Sequence, residues 1–442
     1  MANIGFISLG CAKNQVDCER MMYRVYEAGH DVCAGIVGCD VVVINTCGFI
    51  DSAKSEAIDH ILQTAELKKE GAVGKILVTG CLSQRYQQEI LQEMPEVDGV
   101  LGTGSYHKIV EAIDTLLQGG QVYDFGSIDT PELETSRILT TPEHYAYLKI
   151  AEGCDNRCSY CIIPYLRGKF RSRQMDDVLY EARMLAASGV KEIIVVAQDT
   201  SRYGTDLGDG KRLLPKLLRE LCAIEGFRWV RLHYLYPDEI DNELIDVIAS
   251  EPKIVKYLDI PIQHCNSKIL DLMNRRGNGE YLRWLISELR SRIPGLVLRT
   301  SVITGLPGEG EEEFAELCTF LKEVKLERVG AFPFSPEEGT PAAQMEYPDN
   351  EIAQRRAQMV ETIQSRIMDE YNEAMIGKEL QVLVDGYDEE FEQYFGRTFA
   401  DSPEIDGRVW IASQDDISEG DFVTVCIDGL IDGDLSGYIV EE

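Results

Sequence analysis

The residues best suited to chemistry are cysteines. Cys154, Cys158 and Cys161 stand in C-x3-C-x2-C spacing within Cys-Asp-Asn-Arg-Cys-Ser-Tyr-Cys. Three thiols without a fourth suit a 4Fe-4S cluster that keeps one iron open. S-adenosylmethionine can chelate such an iron with its amino and carboxylate groups. The competing chemistry is a zinc site, which calls for a fourth protein ligand. His144 is conceivable as that ligand, but it precedes the strand that leads into the loop.

A second set is dispersed. Cys11 follows the run Ile4 to Gly10, Cys47 follows Val41 to Thr46, and Cys81 follows Ile76 to Gly80. Each cysteine ends a strand-like segment, and in a parallel sheet such positions gather at the edge where open α/β sheets bind ligands. Any one of them reads as a buried core thiol; three at equivalent places favour a second cluster with a free iron. The remaining cysteines, Cys18, Cys33, Cys39, Cys222, Cys265, Cys318 and Cys426, share no spacing and are assigned to packing. Thr304-Gly-Leu-Pro-Gly-Glu309 joins a strand to an acidic helix; it is either a plain turn or a place where backbone approaches a nucleoside. Gly102-Thr-Gly104 lacks the last glycine of a dinucleotide fingerprint and reads as a turn. Arg167, Lys169, Arg171 and Arg173 form either a solvated strand edge or charge balance for an anionic cluster and the cofactor carboxylate.

The elements that must position these groups fall into three domains across 442 residues. From Ile4 to Asp124 short apolar runs alternate with helical stretches, giving an N-terminal parallel α/β domain. Polar residues Ser127 to Glu143 read as a linker, with a boundary near residue 135. Six β-then-α units follow from Tyr145, with strands near 147–151, 192–197, 229–235, 257–262, 297–303 and 328–334, which predicts a partial (βα)6 barrel. A charged helix over 351–376 leads to residues 378–442, whose short β-branched runs between Gly and Asp turns predict a small β-barrel. The divisions are therefore 1–134, 135–376 and 377–442. The last segment holds 18 Asp and Glu against three Lys and Arg, a net of −15 out of −33 for the chain. Such charge disfavours a phosphate backbone and favours a basic partner. No apolar run reaches membrane-spanning length, no signal peptide opens the chain, and an odd thirteen cysteines argue against disulfides. A cytoplasmic protein with no membrane partner is expected.

With both triads and the terminal barrel in place, nearly the whole chain resembles the methylthiotransferases, radical S-adenosylmethionine enzymes with an N-terminal cluster domain and a C-terminal TRAM domain. Leu9-Gly-Cys-Ala-Lys-Asn-Gln-Val-Asp17, Asn45-Thr-Cys-Gly-Phe-Ile50 with Ala53-Lys54, and Val196-Ala-Gln-Asp-Thr-Ser-Arg-Tyr-Gly204 carry the likeness. Their wording is similar to the branch that modifies an aspartate of ribosomal protein S twelve, rather than the branch that modifies a tRNA adenosine. One departure is Cys18, where the family more often has serine.

The resemblance implies two 4Fe-4S clusters, an auxiliary one on Cys11, Cys47 and Cys81 and a radical-generating one on Cys154, Cys158 and Cys161. It also implies S-adenosylmethionine contacts from Tyr160, Gly305, Pro307 and Glu309, with the chemistry carried by clusters and cofactor rather than by a catalytic side chain. One S-adenosylmethionine would methylate a sulfur held at the auxiliary cluster, and a second would yield the radical that removes a β-hydrogen. Expected partners are ribosomal protein S twelve, free or in the small subunit, an electron donor such as a flavodoxin, and a sulfur source. Three readings stay open beside this one: methylthiolation of tRNA, a radical enzyme using the auxiliary cluster for electron transfer, and a zinc-stabilised binding protein.

Overall fold

The computed structural model describes residues 1–130, 136–413 and 416–440. Its first sheet contains β1 (Asn3–Ser8), β2 (Asp31–Cys33), β3 (Val41–Thr46), β4 (Lys75–Gly80), β5 (Gly99–Leu101) and β6 (Val122–Asp124), in the order β2-β1-β3-β4-β5-β6. All pairs are parallel. A parallel sheet is covered on both faces, which is why β3 reads as the unbroken run Val-Val-Val-Ile and is buried throughout. Met21, Val25, Ile109 and Ile113 of the helices Ala12–Glu27 and Ile109–Leu117 cover one face, and Ala57 and Ile61 of the helix Asp51–Lys69 cover the other.

The second sheet is again wholly parallel. It comprises β7 (Tyr145–Lys149), then β10 (Glu192–Val196), β11 (Trp229–Leu232), β12 (Ile254–Asp259), β13 (Val297–Thr304) and β14 (Arg328–Pro333), while β8 (Ala151–Glu152) and β9 (Arg171–Ser172) form a separate short pair. The order β14-β13-β12-β11-β10-β7 leaves both end strands unpaired with one another, so the barrel is open, as expected of six units. Ala146 and Leu148 of β7 face the outer helices, whereas Tyr145 and Tyr147 face the other way and meet Ala12 and Val16 of the first helix. The N-terminal domain thus fills the inner side of the partial barrel.

The C-terminal strands β15 (Glu379–Asp388), β16 (Gln393–Arg397), β17 (Val409–Ala412), β18 (Phe422–Ile431) and β19 (Asp434–Ile439) close into a barrel around Val382, Val384, Ile411, Val425 and Ile427. The short strand β16, Gln-Tyr-Phe-Gly-Arg, forms because it pairs on both sides, with Gly396 lying where a Cβ would meet Leu383 O at 2.3 Å. This barrel docks on the strand starts of the open sheet, where Glu192, fully buried, accepts from Arg231 (2.7 Å) and Arg397 (2.8 Å).

The predicted linker is packed where it is described: Arg137 Nη1 donates to Glu19 Oε2 at 2.6 Å, and Thr140 donates to Glu19 Oε1 from both N and Oγ1 at 2.8 Å. A buried Glu19 needs those donors, which polarity alone does not reveal. The boundary near residue 135 itself lies outside the described residues. His144 is not close to the cysteine loop; its ring pairs with Asp385 of the C-terminal barrel at 2.8 Å.

Candidate active site

Cys11, Cys47 and Cys81 sit just beyond β1, β3 and β4, which are adjacent in the sheet. Each has a glycine beside it. At Gly10, with φ +92°, a Cβ would meet Cys47 Cβ at 2.7 Å; at Gly48 it would meet Leu82 N at 2.7 Å; at Gly80, with φ +100°, it would meet Thr46 O at 2.3 Å. The glycines are what let the three loops crowd together. Two asparagines tie them: Asn14 Nδ2 donates to Leu9 O (2.7 Å), and Asn45 Nδ2 donates to Asn14 O (2.7 Å). Cys11 stands at the N-cap position of the helix Ala12–Glu27, and Cys81 begins the helix Cys81–Tyr86.

Cys154, Cys158 and Cys161 occupy the loop after β8, beyond the ends of the open-barrel strands. Gly153 (φ +80°) approaches Lys169 O so closely that a Cβ would lie 2.1 Å from it. Ser159 N and Oγ donate to Met273 O (2.9 Å) and Leu272 O (3.0 Å), and Asn156 Nδ2 donates to Asp199 Oδ2 (2.7 Å). The guanidinium of Arg275 is buried and donates to Tyr160 Oη at 3.1 Å, with Cys158 Sγ at 3.6 Å. Tyr160 and Cys158 pack with Tyr236, Leu306 and Phe334, so the Gly305–Glu309 turn closes over this triad. Gly305 takes φ +75° against Ala353, Pro307 is buried, and Glu309 Oε1 accepts from Gly305 N (2.9 Å) and Arg356 Nη1 (2.8 Å). Glu309 therefore shapes the turn from beneath.

The triads face each other. Ile162, next to Cys161, packs on Cys81. Glu337, after β14, accepts from Arg85 and Lys54 of the N-terminal domain at 2.5 and 3.1 Å. Burial pushes the Cys81 thiol up to about 12 and Cys154 to about 11, and raises Cys47 and Cys161 as well. Such thiols become thiolates only when a bound group supplies positive charge, as iron does. Among the described residues no three His, Cys, Asp or Glu side chains close tightly enough to hold a single metal ion. Cluster thiolates bind separate irons and tolerate a wider triangle, so the donor set fits clusters better than zinc.

The basic run is not a solvated edge at its functional end. Arg167 is buried; its Nε donates to Cys81 Sγ at 3.2 Å and Nη2 to Asn14 Oδ1 at 2.8 Å, while Asp17 and Glu152 accept from Nη1. It thus serves the dispersed triad rather than the compact one. Arg173 instead pairs with Glu181 at 2.7 Å. Cys18 is fully buried, its thiol pushed up to about 12 by burial and hydrogen-bonded to Ser8. Sequence reading did not single out Arg275, which has no local signature.

Comparison with known proteins follows the same three parts. Residues 3–102 match an uncharacterized protein family, UPF0004, residues 148–321 the radical SAM superfamily, and residues 376–440 the TRAM domain. The chain is 46% identical to the ribosomal protein uS12 methylthiotransferase RimO of Thermoanaerobacter sp. (strain X514), covering 99% of this chain and 100% of that one. The protein of that name from Lachnoclostridium phytofermentans is 47% identical over 98% of this chain and 99% of its own. Among solved structures, the radical S-adenosylmethionine methyltransferase TsrM of Kitasatospora setae aligns with a TM-score of 0.59 at 14% identity, covering 77% of this chain and 76% of that chain, a likeness of fold.

Proposed function

Because the chain belongs to the ribosomal protein uS12 methylthiotransferase family, we propose that it places a methylthio group on the β-carbon of an aspartate of uS12. It is a radical SAM enzyme by family and by fold. Cys11, Cys47 and Cys81 hold an auxiliary 4Fe-4S cluster; Cys154, Cys158 and Cys161 hold the radical-generating one, with S-adenosylmethionine against Tyr160 and the turn at Gly305, Pro307 and Glu309. The observation that carries this reading is the pair of three-thiol sets, each lacking a fourth ligand, facing one another across the Ile162–Cys81 contact.

The β-carbon of an aspartate has no proton that acid–base chemistry removes at useful rates. When bound, the clusters and S-adenosylmethionine supply the electrons, the hydrogen-abstracting radical and the sulfur group. The chain's own residues position and exclude. Leu306, Tyr236 and Phe334 keep water from the Cys158 side. Arg85 and Lys54, locked on Glu337, hold the two halves in register. The three units are assigned as 1–134, 135–376 and 377–442, and the barrel's charge of −15 attracts a basic partner such as uS12. No helix among the described residues is long and apolar enough to cross a membrane. We place the enzyme in the cytoplasm, drawing on an electron donor such as a flavodoxin and on a sulfur source.

The test is anaerobic. Protein reconstituted with iron and sulfide is given a reductant and S-adenosylmethionine, and purified uS12 is weighed by mass spectrometry. One methylthio group is expected on one aspartate, and none with Cys154→Ala or Cys47→Ala. A mass gain on tRNA with uS12 unchanged would overturn the choice of substrate.

A further inference from the structure

We propose that Lys13 recognises the carboxylate of the side chain that is modified. This rests on the reading of an aspartate of uS12 as substrate, and it identifies the group that selects that side chain. Lys13 lies two residues beyond Cys11, in the first turn of the helix that fills the inner side of the open barrel. Its ammonium sits 3.6 Å above the centre of the Tyr234 ring. Tyr234 follows β11, at the end of the strands where parallel barrels carry their active sites. Lys13 therefore spans from the dispersed triad to the mouth of the barrel that holds the compact one.

Three features point to a ligand. Lys13 has no carboxylate within 4 Å among the described residues, although Asp259, at the end of β12, is near enough to be felt. Asp259 is already engaged by Arg299, at 3.1 Å. An ammonium enclosed between two domains, with the ring and hydroxyl of Tyr234 and the Cys11 thiol as its nearest partners, has no carboxylate of its own. Both Lys13 and Tyr234 keep part of their surface accessible, so they line an opening rather than a sealed core. Finally, Tyr234 is held at φ +63°, a left-handed conformation that an aromatic residue rarely adopts. Thr200 fixes it there, donating from N to Tyr234 O at 3.1 Å and from Oγ1 to His233 O at 2.8 Å. The fold expends strain to present that ring under that cation.

A carboxylate bound at Lys13 would lie beside Cys11 and thus beside the auxiliary site, with its neighbouring carbon turned toward the barrel mouth. Asparagine, of the same shape without charge, would be bound poorly. The shared chemistry is a carboxylate, and S-adenosylmethionine also has one, so the experiment separates the two. Holoenzyme with both clusters, as parent, Lys13→Met and Lys13→Arg, is titrated anaerobically with purified uS12, with uS12 whose target aspartate is asparagine, and with S-adenosylmethionine alone. The expected result is that the parent prefers the aspartate form on the order of tenfold or more, that Lys13→Met abolishes the preference by weakening only the aspartate form, and that Lys13→Arg restores part of it. Iron content and S-adenosylmethionine affinity stay at parental values. An undiminished preference in Lys13→Met overturns the inference, as does a loss confined to S-adenosylmethionine binding or to iron. If the parent itself leaves every aspartate of uS12 unmodified, the substrate reading fails instead.

Discussion

Arg167 shows how a single side chain can belong to two domains. It closes the short helix after Cys161, yet its Nε donates to Cys81 of the other triad. A hydrogen bond to a cluster sulfur, together with a nearby positive charge, favours the reduced and more anionic cluster. Arg167→Lys, which keeps the charge and loses the fork, should lower the auxiliary cluster's midpoint potential by roughly tens of millivolts. The compact triad's cluster should hold its potential in the same EPR-monitored redox titration. An equal shift of both would show that the whole site had relaxed. At this scale the sequence disclosed a good deal. Spacing and position at strand ends singled out the six cysteines that the fold gathers into two sets, because a need for several thiols leaves a mark in composition and at strand ends. It left Arg167 between a solvated edge and charge balance for a cluster without naming its partner, since that partner, Cys81, lies 86 residues away.

Elements were legible wherever burial imposes a period. The charged helix expected over 351–376 is found at Asn350–Glu373, and the strand expected at 192–197 at Glu192–Val196. Segments shaped by partners rather than by pattern were not legible, and the stretch after residue 135 is the clearest case. Its Arg137 reaches Glu181 on the helix Met175–Ala187, where Arg173 and Arg20 also converge. Burial by itself would raise the Glu181 carboxyl, but three guanidinium groups bring it down to about 2. A carboxylate lowered on folding stabilises the native state above its unfolded pKa of about 4.3. That contribution, about 3 kcal/mol, is present at neutral pH and is lost as pH falls from about 4 towards 2. Glu181→Gln should therefore lower the melting temperature at pH 7. Its stability should also decline less steeply than the parent's between pH 4.5 and pH 3, as followed by thermal denaturation. Parallel acid limbs would mean that the arginines do not hold this carboxylate.

At the scale of the whole molecule the two ends of the open barrel do different work. The cysteine loops stand at the strand ends, whereas the C-terminal barrel packs on the strand starts through Trp229, Val255, Val297 and Leu383. The closed body of the acidic domain thus lies away from the cysteine loops, while its Ser402 and Asp406 reach His233 at 3.0 Å and Tyr257 at 2.6 Å inside the open barrel; its excess negative charge would attract a basic substrate. Its attachment depends on buried charge: Arg397 donates to Glu192 at 2.8 Å and to Asp385 at 2.7 Å, and Asp385 in turn holds His144. Removing one member of such a network strands the others without compensation and costs about 3–5 kcal/mol. Arg397→Ala should loosen the barrel from the rest of the chain, seen as faster tryptic cleavage at Lys378, just before β15. Because the cysteine loops lie at the opposite end, reductive cleavage of S-adenosylmethionine without uS12 should continue near the parental rate. Modification of uS12 should fall several-fold, and the deficit should shrink as salt rises and screens the attraction in the parent too. Loss of cofactor cleavage in parallel with uS12 modification would instead mean that the barrel holds the active site together, and that its charge is incidental to substrate capture.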